Sequence, residues 1–530
     1  MRISTAQYFE TSASKYQSNY SDTIKTDAQI SSGKRIQVAS DDPIGASQLI
    51  QLQQQKALLE QYNGNMTSLK TSLTTEESVL DGINTALQTA RVLAIQAGGG
   101  TASDEDRKSI ANQIGEIEKQ VLGLLNTKDA AGEYLFSGSK SATPPYLQNA
   151  DGTYTYQGDE TQLSLQISDT LSIASNDTGY SLTEQTPNAS RTVVSSSPEA
   201  PATVNGRVSL SSGLISSNTA YTNEFTAGQP YQVTFTSSTQ FKVFSGATDI
   251  TAEVAGAGTF DPNVAGGSSF KLRGVDFEIN VTKKEGELPA DFDAAMQGQG
   301  FTLASKPDAI TVARMGGNSS TAQITNSTVS DPAAYATTFP RGGALITFGA
   351  GGAYQVFAQP FKQGDTAIAT GTKAAGDTSI TQAGVTFNFA AGLTEPAAGD
   401  QFAVKVDTHQ NKSALNTLSD LRKALSAPVG GSVANQNKLD EEIAASLSNL
   451  TLSMNNNDLV RGSIGARANS IDIQAAENGT ISLNNKTTQS AIGDTDIAEA
   501  SVQLTLQQTM LQASQLAFVK ISQLSLFNKL

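Results

Sequence analysis

The chain has 530 residues, a formal net charge of −15, no cysteine and one histidine. Without cysteine there are no disulfides, thiolate metal sites, iron–sulfur clusters or Cys nucleophiles. One imidazole, His409, excludes a centre built on several histidines and leaves a Ser-His-Asp triad a single candidate base.

The acidic balance disfavours nucleic acid and anionic membrane, since both need a basic face. His409 follows a strand-like run and reads as a surface residue. No catalytic, cofactor or metal set stands out, although a carboxylate-only site stays open on counting alone. Charged residues make up only 16% of the chain, so its surface is polar and weakly charged and suits packing against copies of itself or relatives. No apolar run reaches the roughly 18 residues of a membrane span. Met1 to Gln7 holds no apolar signal core, so no cleaved secretory signal is expected.

In chain order, residues 1–32 lack Gly and Pro and predict a helix. Phe9, Ala13, Tyr16 and Tyr20, with Ile24 and Ile30 near the same face, predict an apolar seam for a partner helix. Gly33 is placed as its C-terminal stop, and Asp42-Pro43 as N-cap and first residue of the next helix. Lys34 to Asp41 is then a short connector. The second helix runs to about Gln96, before Gly98-Gly99-Gly100. Ser103 and Asp106 predict a capping box, followed by a stripe of Ile110, Ile114, Ile117, Val121 and Leu124.

Alternation then takes over. Tyr154 to Asp159 and Leu163 to Ile167, with Gly152 and Gly158 as turn residues, read as hairpin strands. Farther on, Val233-Thr234-Phe235 and Phe241 to Phe244 match Ile346-Thr347-Phe348 and Tyr354 to Phe357. Gly274 to Ile279 matches Gly384 to Phe389, and Pro289 to Phe292 resembles Pro396 to Phe402. The repeated order predicts two related β modules, about 225–295 and 338–406. Helical stripes return at Leu415, Leu418, Leu421 and Leu425, and at Leu439, Ile443, Leu447 and Leu450.

The last segment has no Gly or Pro after Gly493. On a helical wheel Ile497, Ala500, Leu504, Leu511 and Phe518 share one face; Leu506, Met510, Ala513, Ala517, Ile521 and Leu524 share a nearly opposite one. Such a helix must be covered on two sides. The N-terminal helix can cover one. Ordering costs about 1–2 kcal/mol per residue, and each buried large side chain returns only about 1.5–3 kcal/mol. Half-covered termini are therefore expected to order on assembly.

Ile30-Ser31-Ser32-Gly33-Lys34-Arg35-Ile36 and Ala39-Ser40-Asp41-Asp42-Pro43-Ile44-Gly45 resemble the N-terminal signature of bacterial flagellins and their junction relatives. Leu87 to Gln96, including Arg91, Leu93 and Ala94, is similar to the flagellin helix that packs between subunits. Ile464-Gly465-Ala466-Arg467 and Asp494-Thr495-Asp496-Ile497-Ala498 resemble the C-terminal signatures. Both chain ends, with Gly132 to Ser139 and Pro144-Pro145-Tyr146, resemble the filament-side junction members. The resemblance covers roughly 1–180 and 411–530.

It implies an α+β fold. Its long antiparallel helical bundle or coiled coil comes from the N- and C-terminal segments, with a β hairpin region and an inserted all-β outer domain. The expected domains are 1–42 with 490–530 as a terminal coiled-coil inner domain, 43–185 with 411–489 as a helical rod with the hairpin, and 186–410 as the insertion.

The implied role is a structural adapter, not an enzyme. It would leave the cell through type III export, lie outside the cell at the hook–filament junction, and serve motility by polymerising through its terminal helices. Implied partners are a hook-side junction protein, flagellin, further copies in a ring-like layer, and an export chaperone at the C-terminal helix. Ser32, Gly33, Arg35, Asp41, Asp42 and Pro43 would shape the connector, and Asp494 and Asp496 would cap the last helix or touch a neighbouring subunit. Two other readings stay open: flagellin itself, and a flagellin-like shaft with a glycan-binding middle domain.

Overall fold

A computed structural model describes residues 5–99, 102–196, 206–264 and 267–527. Helices α1 (Thr5–Ser32), α2 (Pro43–Ala97) and α3 (Asp104–Leu125) open the chain. Their ends follow local chemistry. Gly33 takes φ +69° after α1, a conformation that costs glycine nothing. Ser103 and Asp106 form the capping box of α3. The α3 stripe is buried at Ile110, Ile114, Ile117 and Val121, but ends on Leu125 rather than Leu124, which is half-buried.

Strands β1 (Tyr146–Gln148) and β2 (Tyr154–Tyr156) form one antiparallel hairpin, and β3 (Ser164–Gln166) and β4 (Ser172–Ala174) another. The runs at 154 and 163 thus belong to different hairpins, each with its own partner. Gly152, at φ +80°, turns the first hairpin, whereas Gly158 is not in the left-handed region.

The middle of the chain holds two β sandwiches. The first is built from β5 (Thr192–Ser196), β6 (Val208–Leu210), β7 (Leu214–Ile215), β8 (Tyr231–Phe235), β9 (Phe241–Ser245), β10 (Thr248–Asp249), β11 (Ser268–Leu272), β12 (Val275–Val281) and β13 (Gly300–Ser305). Between β7 and β8 runs a helical segment comprising α4 (Asn218–Ala220), a π turn (Tyr221–Phe225) and α5 (Thr226–Gly228). Helix α6 (Pro289–Met296) precedes β13. The second sandwich contains β14 (Ala309–Arg314), β15 (Ile324–Val329), α7 (Pro332–Thr338), β16 (Ala344–Phe348), β17 (Ala353–Ala358), β18 (Ala369–Thr372), β19 (Ser379–Gln382), β20 (Val385–Phe389) and β21 (Gln401–Asp407).

The sheet orders correspond, β10-β9-β8-β13-β5 with β18-β17-β16-β21-β14 and β11-β12-β6 with β19-β20-β15; the short β7, paired to β12, has no counterpart. Details repeat too. Tyr221 stacks on Phe225 and Tyr335 on Phe339, both with ring centroids 5.5 Å apart. The β11–β12 turn, Arg273-Gly274, and the β19–β20 turn, Ala383-Gly384, have positive φ at both residues. Their glycine carbonyls accept equivalent amides, from Ser216 and Ser217 and from Ser330 and Asp331.

The correspondence runs from β5 to β13 and from β14 to β21, wider than the 225–295 and 338–406 of the sequence match. One pairing shifts. Phe292 lies on α6, and the residue that lines up with Phe402 is Phe301: Phe301 sits opposite Val233 and Phe402 opposite Ile346. Local word matching has no access to that cross-strand register. Phe235, Phe241, Phe277 and Phe301 centre one core; Phe348, Phe387 and Phe402 centre the other.

Helices α8 (Ala414–Ser426), α9 (Val433–Gly493) and α10 (Ile497–Phe527) close the chain. Leu415, Leu418, Leu421 and Leu425 of α8 are all buried. The chain divides into two compact units, 1–75 with 163–175 and 463–530, and 76–162 with 176–462. No helix among the described residues is long and apolar enough to cross a membrane.

Candidate functional site

The first unit is where the signature residues gather. Helices α1 and α10 lie antiparallel: Asn19 Nδ2 donates to Ser514 Oγ at 2.8 Å, and Tyr16 stacks on Phe518 at 6.4 Å. Along α10 the covered positions are Ala500, Leu504, Gln507, Leu511, Ser514 and Phe518. Their alternating spacing of four and three is the seam of a two-helix coiled coil. On α1 the matching positions are Tyr16, Asn19, Thr23, Thr26 and Ile30.

This seam is more polar than the sequence led one to expect. Tyr20 and Ile24, placed in it by apolar spacing, stand 52% and 51% exposed, and Ile497 of α10 is 58% exposed. The heptad register, not apolarity, selects the buried positions, so Asn19 and two threonines take the seam instead. The side chains of Phe9, Ile521 and Leu524 lie outside the described residues.

The other face of α10 is bare. Leu506, Met510 and Leu516 are half exposed or more, and Ala513 and Ala517 are exposed. The separation of Leu504, Leu511 and Phe518 from Leu506 and Met510 into a covered and an open face is as the helical wheel placed them.

The connector from α1 to α2 is knotted to the α9–α10 turn by backbone and charge. Arg35 N donates to Gly493 O at 2.7 Å, and Thr495 N donates to Gly33 O at 3.0 Å. The Arg35 guanidinium reaches Ile492 O at 2.8 Å and Asp42 Oδ2 at 3.1 Å. Lys34 Nζ pairs with Asp494 Oδ1 at 2.6 Å. Ser32 Oγ accepts from Gln37 Nε2 at 2.9 Å.

Asp41 and Asp42 divide the work. Asp41 accepts the Gln37 and Val38 amides and pairs with Lys25 at 2.9 Å. The Lys25 bond first, then those amides, hold its carboxyl down at about 2. Asp42 caps α2 by accepting from Gly45 N at 2.9 Å, with Pro43 as first helical residue. The Gly45 amide first and Arg35 second lower its pKa. Asp494 is lowered chiefly by Lys34. Asp496 caps α10 through the Ala498 and Glu499 amides at 2.9 and 3.2 Å.

Arg91 is not part of this cluster. It lies in the second unit, exposed on α2 with Val92 and Ile95. Sequence reasoning missed Lys25, Lys34 and Asn19 as partners. Only the heptad count from Tyr16 to Ile30 pointed to Asn19, and nothing local pointed to the lysines.

Among the described residues of the site, the charged side chains are engaged in ion pairs and in capping backbone amides. The site's chemistry is that of a fixed turn carrying a helix pair with an open apolar face.

Residues 3–141 match the bacterial flagellin N-terminal helical region. Over 179 residues the chain is 37% identical to flagellar hook-associated protein 3 of Salmonella typhimurium, covering 34% of this chain and 56% of that protein. The Escherichia coli protein of the same name is 35% identical with the same coverage. The chain resembles flagellar hook-associated protein 3. The matched stretch spans about half the length of these relatives, 56% of each. Among solved structures, the flagellar junction protein FlgL from Legionella pneumophila matches with a TM-score of 0.48 at 19% identity, over 84% of this chain and 100% of that one. A Clostridium tyrobutyricum flagellin is 26% identical over 158 residues.

Proposed function

We propose that this chain is a structural subunit of the bacterial flagellum that joins hook to filament and assembles, after export, through its terminal helices. The observation that carries the junction role is the similarity to hook-associated protein 3, at 35–37% identity over 179 residues, against 26–30% for flagellins over 125–158 residues. The α1–α10 pair supports assembly. One face is zipped by its heptad seam, and the other offers Leu506, Met510 and Leu516 to neighbours.

In this reading the terminal pair lines the inner layer of the assembly. The Ser32–Pro43 connector, Asp494 and Asp496 fix the angle between inner and outer helices, and Arg91 contacts an adjacent subunit. The partners are copies of the chain, a hook-side junction protein and flagellin, with an export chaperone covering α10 before release. The protein acts outside the cell as an adapter, not as an enzyme.

Deleting the gene tests this. The expected result is bare hooks with flagellin shed into the medium, because exported flagellin has nothing to grow on. Bare hooks with no other flagellin in the medium would make this chain the filament subunit itself. Normal filaments would sink the proposal.

A further inference from the structure

The two sandwiches are built on one plan, so the paired strands of one have counterparts in the other. On the sheets β11-β12-β6 and β19-β20-β15 the comparison isolates a single difference. In the first sandwich, β11 and β12 turn Ser269, Lys271, Asp276 and Glu278 away from the core, while Phe270, Phe277 and Ile279 are buried. Lys271 and Asp276 are cross-strand neighbours and form an ion pair at 3.3 Å. In the second sandwich the outward residues are Ser379, Thr381, Thr386 and Asn388, with Ile380 and Phe387 buried. Thr381 and Thr386 are the same cross-strand pair, now two hydroxyls 2.8 Å apart. Asn388 stands where Glu278 stands. The neighbouring strand β15 adds Asn326 and Thr328, both exposed. Every charge on this face of the first sandwich has a neutral donor–acceptor in the second.

Folding does not force that change, because the first sandwich folds with the charges present. The first face is also already in use. Its Ser209 accepts from Asn437 of α9 at 2.9 Å, Ser212 donates to Glu441 of α9 at 2.8 Å, and Glu278 faces Asp440 and Glu441. The equivalent face of the second sandwich presents exposed Asn326, Thr328 and Thr381.

We propose that the outward face of β15–β20–β19 is a contact surface for a second copy of this chain, which it meets through hydroxyl and amide donors to a carboxylate-bearing surface, as Ser212 of the first sandwich meets Glu441 of α9. The charge balance argues for that occupant. Copies that each carry −15 repel one another, and like charges brought into an interface cost several kcal/mol. A face without carboxylates, rich in donors, is where two such copies approach without that cost. Three short strands make a small contact, suited to reinforcing an assembly already held by its terminal helices. The proposal rests on the junction reading for its setting.

The test places a photo-reactive residue at Asn326 of the full chain and illuminates isolated flagella. An adduct containing two copies of this chain is expected. Adding T381K, T386D and N388E, which transplants the first sandwich's charges, should lower its yield by about tenfold or more while leaving thermal unfolding unchanged. No two-copy adduct in flagella that contain the chain, an adduct only with another protein, or a yield indifferent to the transplanted charges would overturn the proposal. Blotting the same flagella for the chain checks the junction reading separately. Were the chain absent there, illumination of the purified full chain at high concentration decides the face on its own, with the same two outcomes.

Discussion

Arg422 of α8 donates its Nε to Glu118 Oε2 of α3 over 2.7 Å, and the Glu118 side chain is only 3% exposed. The other carboxylate oxygen accepts from Tyr154 OH at 2.7 Å, so one buried acid ties two helices to the β1–β2 hairpin. Burial first, and Glu118 second, push the Tyr154 hydroxyl well above its usual range. Removing one partner of such a pair strands the other. Glu118→Ala is expected to cost about 2–3 kcal/mol, somewhat below the range for fully buried pairs because Arg422 is partly solvated. Glu118→Gln keeps an acceptor for Tyr154 and should cost about 1 kcal/mol. Urea unfolding of the full chain measures both.

The connector should fail in acid. The folded-state pKa of Asp41 is depressed, to about 2, so its contribution is fully present above the ordinary carboxylate value near ~4. It is lost as pH falls through about 2, when the carboxylate that holds Gln37, Val38 and Lys25 is protonated. The protection of the Gln37 and Val38 amides, taken relative to their intrinsic exchange rates, should hold down to pH ~4 and fall below it. Asp41→Asn should remove that acid dependence and speed exchange at neutral pH. An unchanged profile in the variant would count against the assignment.

The seam between the first sandwich and α9 should behave in the opposite sense. Burial first, then Asp440 and Glu441, raise the Glu278 pKa; burial raises Asp440 and Glu441 as well. Carboxylates with raised folded-state pKa values bind protons more readily folded than unfolded, so this seam gains stability as pH falls from neutral through those raised values. Lys438 lies beside Glu441, and Arg107 acts on Asp440 while paired to Asp104. Glu278→Gln should therefore raise thermal stability at pH 7 and flatten its gain on mild acidification. Calorimetry from pH 7 to about 5 reads both effects.

Two glycines at positive φ should respond very differently to alanine. Gly33 has open space around a would-be Cβ, whereas a Cβ on Gly384 would run into Asp331 O and the Tyr335 backbone. Gly33→Ala should cost about 1 kcal/mol, the strain of a left-handed L-residue. Gly384→Ala adds backbone overlap to that strain and should cost about 3 kcal/mol. Equal losses would mean that the helical segment after β15 yields easily.

On α10, Leu506→Asp should leave the helical content of the free chain unchanged, because Leu506 is 55% exposed, yet abolish its ability to restore swimming to a deletion strain. Leu511→Asp should weaken the α1–α10 seam itself. Among the described side chains of α10, Ala500 alone is buried. Amides beyond about residue 500 are therefore expected to exchange quickly in the free chain and slowly after assembly. Strong protection before assembly would contradict ordering on assembly.

Much of this was legible in the sequence, and the residues show why. Helix ends are set by neighbours a few positions away. Gly33, Asp42-Pro43 and the Ser103–Asp106 box sit where local chemistry put them. The repeated sandwich was visible because buried strands must alternate, so Val233 to Phe235 and Ile346 to Phe348 carry the same pattern. The lack of cysteine and the single histidine bounded the chemistry without any structure.

What the sequence by itself determined was therefore what acts over one turn or one strand: caps, stops, alternation, and two apolar faces on the last helix. Tertiary structure alone decided the rest, because it depends on register between distant segments. It sent the strands at 154 and 164 into separate hairpins and aligned Phe301, not Phe292, with Phe402. It left Tyr20, Ile24 and Ile497 in solvent while drawing Asn19 against Ser514. It also brought Lys34 to Asp494 and Arg35 to Ile492, residues more than 450 positions apart. A side chain's burial is fixed by what the chain folds against it, and that partner is not written beside it.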